Sequence, residues 1–514
     1  MKLIQKQRSY ARFCFSNVIF LNHTGIHPLL LLTCLILFSL ILISFNGCKA
    51  PEPTEVRPNI EPTGILKGIV SDAQGPISGS VVRIQTTDNY TTTNDSGQFT
   101  LSGLIPGDPV TITAWAPGYY NGGGNAYLPG SQNIVLKLIA YHTEDNSDYK
   151  WISAFSSGGD PSNCQNCHAE PNNPESFLPF DEWQKDAHAH TTENIRFLTM
   201  YRGTDIYGNQ SPETQYGYNR DYGEFPLPPN PNLAYYGPGY KLDFPSTNGN
   251  CAACHAPAAA MNQPYGINPT EVTGAGAEGI TCDFCHKVWD VRLNPSTGLP
   301  YDNMPGVLSF KMRRPPEEHQ FFAGPLDDVA PGEDTYTPIQ KQSQYCATCH
   351  YAKFWGIEIY NSFGEWLESP YSNAESGQTC QNCHMPTGLT DHFARLDKGG
   401  KQRNPKTLSS HRMLGAMDKN LLQNAVTLTA NASQQENTVV VNVEIVNDRT
   451  GHHVPTDSPL RHMILLVQAF NVQGDTLTQI TGPSLPDWCG IGDPKYGYYA
   501  GLPGKAYAKI LEEM

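Results

Sequence analysis

Five stretches of the chain repeat one pattern, two cysteines three residues apart with a histidine directly after the second. They are Cys164-Gln165-Asn166-Cys167-His168, Cys251-Ala252-Ala253-Cys254-His255, Cys282-Asp283-Phe284-Cys285-His286, Cys346-Ala347-Thr348-Cys349-His350 and Cys380-Gln381-Asn382-Cys383-His384. Two thiols at this spacing reach both vinyl groups of one porphyrin and close two thioethers. The adjacent imidazole then lies under the iron as its proximal ligand. Chance would give about 0.01 such motifs at this cysteine and histidine usage, so five are not accidental. Zinc and iron–sulfur sites also use Cys-x-x-Cys pairs, but neither calls for His after the second Cys five times over. The residues therefore predict five covalently bound haem c groups. The thioether residues are Cys164, Cys167, Cys251, Cys254, Cys282, Cys285, Cys346, Cys349, Cys380 and Cys383, and the proximal ligands are His168, His255, His286, His350 and His384.

A haem that only passes electrons is usually six-coordinate, with a second His or a Met on the far side. Setting aside the proximal histidines and the N-terminal His23 and His27, nine remain: His142, His188, His190, His319, His392, His411, His452, His453 and His462. Nine exceed the five needed, so bis-His ligation throughout is open. A surface or hydrogen-bonding role is equally open for each. Met385 directly follows a proximal His and cannot reach the far face of the same haem; packing against a neighbouring ring suits its soft side chain better.

The elements that must hold these residues are read from composition. A chain of 514 residues suggests two to four domains. Aliphatic residues are thin, while Gly (46), Pro (41) and Tyr (26) abound, which points to loops more than to one large packed core. A buried macrocycle would supply the missing apolar body. The net charge of −15 argues against nucleic acid as a partner and allows steering towards a basic redox partner. Beyond the motifs the cysteines are Cys14, Cys34, Cys48 and Cys489, so no disulfide framework is implied.

Residues 1–48 read as an export segment. Lys2, Lys6, Arg8 and Arg12 precede an uncharged apolar run, Pro28 to Phe45. The run is long for a cleaved signal and just long enough to span a bilayer as a retained helix. The competing reading is a lipoprotein signal cut before Cys48, since Phe45-Asn46-Gly47-Cys48 resembles a relaxed lipobox; Cys48 is then the lipidation candidate. Residues 49–62, with several Pro and Glu, follow as a linker. Either reading anchors the body to a membrane, by lipid or N-terminal helix, on the extracytoplasmic side, periplasmic or at the cell surface.

The body is multidomain. Residues 63–139 carry short β-prone runs (65–70, 81–84, 98–101, 110–115, 134–138) separated by turn signals such as Asn94-Asp95-Ser96-Gly97, the pattern of a small β-sandwich. The words GIVSDAQGPISGSVVRIQ, TNDSGQFTLSGL and ITAWAPGYY resemble the carboxypeptidase regulatory-like (transthyretin-like) domain. That family is non-catalytic, which implies a spacer or adhesion module. Residues 140–420 hold all five motifs in loop-rich, mainly α sequence, a pentahaem cytochrome c domain. Residues 421–514 turn β-rich again (425–429, 438–445, 464–470). These strands are too few to close a sandwich and no closing strand is evident after Ala506, so a partial β-sandwich is expected, truncated or completed by strands from elsewhere.

Several words in the region from 150 to 470, namely DEWQKDAHAHTTENIRF, GITCDFCHKVWDV, EHQFFAGPLDDV, SQYCATCH, FGEWLESPY, TCQNCHMP and GHHVPTDSPLRHMIL, together resemble multihaem cytochromes of the c-552/4 type, relatives of hydroxylamine-oxidoreductase-like cytochromes. The resemblance implies distal ligands at His188, with His190 beside it, at His411 and at His452, and more weakly at His319 and His392. It also implies an electron carrier serving a redox protein or an extracellular acceptor. The competing function is a haem enzyme acting on a small nitrogen or sulfur compound, which needs one open iron. No Cys-x-x-Cys-Lys, the mark of nitrite-reductase-type catalytic haems, occurs. A tyrosine cross-link of the hydroxylamine-oxidising kind stays open, with Tyr201, Tyr235 and Tyr236 among the tyrosines. A third reading has both β modules binding a partner or a mineral. Electron donor, acceptor and oligomeric state are not readable from these residues.

Overall fold

The computed structural model describes residues 61–156, 163–228, 230, 232–354, 356–458 and 461–509, with the backbone of two short strands at Phe13–Cys14 and Val18–Leu21. Cys48 and the apolar run before it lie outside the described residues. Among the described residues no helix is long and apolar enough to cross a membrane.

Seven strands form the N-terminal sandwich: β1 (Gly64–Ser71), β2 (Val81–Ile84), β3 (Tyr90–Thr92), β4 (Gln98–Leu104), β5 (Val110–Trp115), β6 (Gly122–Tyr127) and β7 (Ile134–Lys137). One sheet runs β4-β1-β7, the other β3-β2-β5-β6. Alternation places Leu66 and Val70 of β1, Phe99 and Leu101 of β4, and Ile134 and Leu136 of β7 on the inner face, against Val82 and Ile112 of the facing sheet. Each such side chain contributes about 1.5–3 kcal/mol when buried. Gly97, at φ +69, makes the turn into β4, and its partner Asn94 accepts hydrogen bonds from Ser96 N and Gln98 N through Oδ1. Five strands follow the expected runs. β3 and β6 do not, because Tyr-Thr-Thr is short and Gly-Gly-Gly-Asn-Ala-Tyr has almost no β propensity. The glycines of β6 are there for room: a Cβ on Gly122 would stand 2.6 Å from Leu138, and one on Gly124 3.0 Å from Pro331, outside the sandwich.

The remainder is mixed α/β. Its helices are one or two turns long, set among two-stranded pairs such as Val288–Val291 with Phe310–Met312 and Ala352–Phe354 with Ile357–Tyr360. Its main apolar cluster is built from small side chains (Ala252, Ala253, Ala256, Ala258, Ala260) around Phe284, Val288, Val307 and Phe310. Farther on, Thr427–Gln435 and Thr438–Val446 form a long antiparallel hairpin. The short strands Val18–Leu21 and Phe13–Cys14 lie along its other edge. A strand is also present near the end of the described chain, where none was expected. Gly504–Ala508 pairs with His462–Leu466. Its sequence, Gly-Lys-Ala-Tyr-Ala, has one large apolar side chain, so alternation left no signal.

Candidate functional site

Every Cys-x-x-Cys-His motif lies on one helical turn: Gln165–His168, Ala252–His255, Cys282–Lys287, Gln344–His350 and Cys380–His384. Residues three apart on a helix share a face, so each cysteine pair points the same way. Thr281 and Thr379 start two of these turns as N-caps. Thr281 Oγ1 accepts from Phe284 N, and Thr379 with Asn382 completes a capping box. Among the described residues no cysteine is joined in a disulfide, and Cys489 is buried.

The five motif histidines share one feature that composition could not reveal. The Nδ1 of each ring faces an acceptor: Phe393 O for His168 (2.7 Å), Thr191 O for His255 (3.3 Å), Ala323 O for His286 (2.6 Å), Asp457 Oδ2 for His350 (3.3 Å) and Leu414 O for His384 (2.5 Å). An acceptor at Nδ1 fixes the proton there and leaves the Nε2 lone pair for a metal. Burial holds the His168, His286 and His384 rings below the ordinary imidazole range, and His255 is pushed down to about 4. His350 differs. Burial works to lower it, yet the hydrogen bond and charge of Asp457 carry it up to about 9. Asp457 is itself buried and held well below the carboxylate range.

Distal candidates fall into three groups. His188 and His350 have ring centroids 6.3 Å apart, and His452 and His384 6.1 Å. Two imidazoles sharing one iron at about 2 Å each have centroids about 6 Å apart. In both partners Nδ1 is again occupied, by Asp186 Oδ1 (2.6 Å) for His188 and by His453 O (2.9 Å) for His452. His411 is half-buried beside the first and third motifs; desolvation first, then His286 and His168, push it down to about 3. The others are oriented differently. His190 is exposed, with Nε2 2.9 Å from Gln184 O. His319 is exposed, with Nδ1 on Glu333, and packs at 5.0 Å on His142. His392 sets Nδ1 on Asp391 at 2.6 Å.

The motifs form one connected group, but not by sequence order. Spacing pairs the second with the third and the fourth with the fifth. Cys164 instead lies beside Cys282, joining first to third, and Cys254 lies beside Cys349, joining second to fourth. The fourth–fifth contact, Cys346 with Cys380, follows the sequence. Tyr345, just before the fourth motif, donates to Cys285 O at 3.0 Å and links it to the third.

Two stretches of the site are copies of one another. Phe180-Asp181-Glu182-Trp183 and Phe363-Gly364-Glu365-Trp366 each follow a motif by about a dozen residues. Trp183 Nε1 donates to Ile280 O, and Trp366 Nε1 to Gln378 O, each the residue before the capping Thr of a Gly-x-Thr-Cys-x-x-Cys-His motif. Glu182 accepts from Ser410 Oγ and His411 N, and Glu365 from Thr456 Oγ1 and His453 N. The shared F-x-E-W and G-x-T-C words were the signal for this repeat. The acceptors for the proximal rings had none, since four are backbone carbonyls; the fifth, Asp457, lies inside the GHHVPTDSPLRH word singled out for its histidines.

These residues fit haem. Each motif has two cysteine sulfurs on one face and an imidazole whose Nδ1 faces an acceptor, which leaves Nε2 to take a metal in place of a proton. The group they would hold supplies one-electron chemistry at its iron, while the chain orients the ligands. Among the described residues no set of three or more His, Cys, Asp or Glu side chains is gathered to hold a bare metal ion.

Residues 65–136 match the carboxypeptidase regulatory-like domain. Among solved structures, the chain is similar to a penta-heme cytochrome c552 from Thermochromatium tepidum, at 18% identity and a TM-score of 0.40, over 68% of this chain and 86% of that one. No curated protein matches.

Proposed function

We propose that this chain is a pentahaem c-type cytochrome of the c-552/4 type that transfers electrons outside the cytoplasm, tethered to a membrane through lipidated Cys48 or a retained N-terminal helix. The observation that carries the reading is the common setting of His168, His255, His286, His350 and His384, each at the end of a Cys-x-x-Cys turn with Nδ1 facing an acceptor. His188 opposite His350 and His452 opposite His384 support six-coordinate iron at the fourth and fifth sites, which favours a carrier over a catalyst there. The donor or acceptor is a redox protein or an extracellular acceptor.

Intact mass and an optical spectrum test this together. Five haem increments and reduced low-spin bands that carbon monoxide and hydroxylamine leave unmoved are expected. Fewer than five increments would overturn the haem count. A high-spin fraction that binds either ligand would turn the reading towards a haem enzyme acting on a small nitrogen or sulfur compound.

A further inference from the structure

The N-terminal sandwich is not held to the rest of the chain by its linker alone. A strap, residues 320–337, runs between the third and fourth motifs and is bonded to the sandwich along its length. Arg83 on β2 makes a two-pronged ion pair with Asp327 (2.9 and 3.0 Å). Gln85 Nε2 donates to the carbonyls of Asp328 and Ala330, both at 3.0 Å, and Thr86 N donates to Asp328 Oδ2 at 2.7 Å. Trp115 Nε1 donates to Thr335 Oγ1, Tyr120 OH to Gln320 O, and Asn121 N to Asp334 O.

The far side of the strap faces the motifs. Ala323 O, between the Tyr120 and Arg83 anchor points, is the acceptor for His286 Nδ1 and also accepts from Gln340 Nε2. Asp328 leads to a second motif. Both its carboxylate oxygens accept from Arg403 Nη1 (2.8 and 3.0 Å), in a pair whose two side chains are each 4% exposed. Arg403 lies over the Phe393 ring at 5.5 Å, and its N–H donates to Asp391 O. Phe393 O is the acceptor for His168 Nδ1. One surface of the sandwich thus braces the acceptors for both the first and the third proximal histidines, whose motifs touch through Cys164 and Cys282.

We propose that the carboxypeptidase regulatory-like domain is a positioning module for these two haems. By clamping the strap it fixes the hydrogen bonds at His168 and His286, and so sets the basicity of both iron ligands. Outer partners of a ligating imidazole tune it in this way. Arg83, Gln85 and Asp328 are positioning residues, none of them an iron ligand. The proposal rests on the haem reading above.

The test is the double variant R83A/Q85A in the full-length, haem-loaded protein, with D328N as a second variant that keeps the shape of the strap contact. V135A, on the exposed outer face of β7, is the control. Intact mass is taken first; a wild-type protein without five haem increments overturns the underlying reading. With five haems attached, spectropotentiometry and low-temperature EPR of low-spin iron are the readouts. A looser Nδ1–H···O bond makes the imidazole a weaker donor. Two of the five midpoint potentials should therefore rise and two low-spin signals shift in both variants, with the other three unmoved and V135A like wild type. Unchanged potentials and signals in both variants, or a uniform shift of all five haems, would overturn the clamp.

Discussion

Asp457 is the one charged acceptor among the five; the other four are neutral backbone carbonyls. A carboxylate on Nδ1 draws the ring towards imidazolate, and a stronger donor favours the oxidised iron. Asp457→Asn should raise the midpoint potential of a single haem, read by spectropotentiometry, and leave the others in place. A second residue-scale case is Lys287, directly after His286. It has no exposed side chain, sits 2.5 Å from equally buried Asp283, and lies over the Phe322 ring. Tyr149 OH and Ile152 N also donate to Asp283. Such a pair adds little net stability, but removing one member strands the other charge. Lys287→Met should cost about 3–5 kcal/mol in denaturant unfolding. Losing Lys287 and Asp283 together to apolar residues should cost less. At this scale the residues that spell a motif can be read straight off the sequence, while those that work through backbone leave no mark in it. Nothing in Ala323, Phe393, Leu414 or Thr191 marks them as acceptors, because their carbonyls, not their side chains, do the work.

At the scale of elements, alternation made the sandwich legible wherever one face is buried. β1, β4 and β7 read directly from Leu66, Val70, Phe99, Leu101, Ile134 and Leu136. β6 did not, since its glycines serve close approach to Leu138 and Pro331 rather than burial. Phe99→Ala, emptying a site 4% exposed, should destabilise the sandwich by about 3–5 kcal/mol, measured by chemical denaturation. The motif turns are too short to be stable alone, so the helical period had nothing to act on. What organises them is the repeated F-x-E-W helix. Its Trp holds the start of a later motif and its Glu holds a histidine segment far along the chain. Both words stand in the sequence, but their relation becomes visible only once Trp183 and Trp366 are seen to make the same bond.

For the whole molecule, charge is the property that a partner meets first. A net −15 attracts cations and repels anions over a distance that salt shortens. Reduction by hexaammineruthenium(II), a cation, should slow as ionic strength rises, while reduction by anionic dithionite should quicken; stopped-flow traces at several salt concentrations would show it. Sequence distance was a poor guide to arrangement at this scale. The first motif stands alone in the chain yet touches the third, and the second reaches the fourth. Chain-length spacing constrains only how far two motifs can be separated, not which of them the loops bring together.

Those same contacts bear on how the protein is made. In the folded chain Cys164 meets Cys282, Cys254 meets Cys349 and Cys346 meets Cys380, each pair drawn from different motifs. A polypeptide that collapsed before receiving its cofactors would press these thiols together, and an oxidising compartment would lock them as cross-links between motifs. On the haem reading proposed above, maturation would then have an order. The thioethers would close while the chain is still open, so that folding arranges haems already in place and no reactive sulfur remains at the contacts between them.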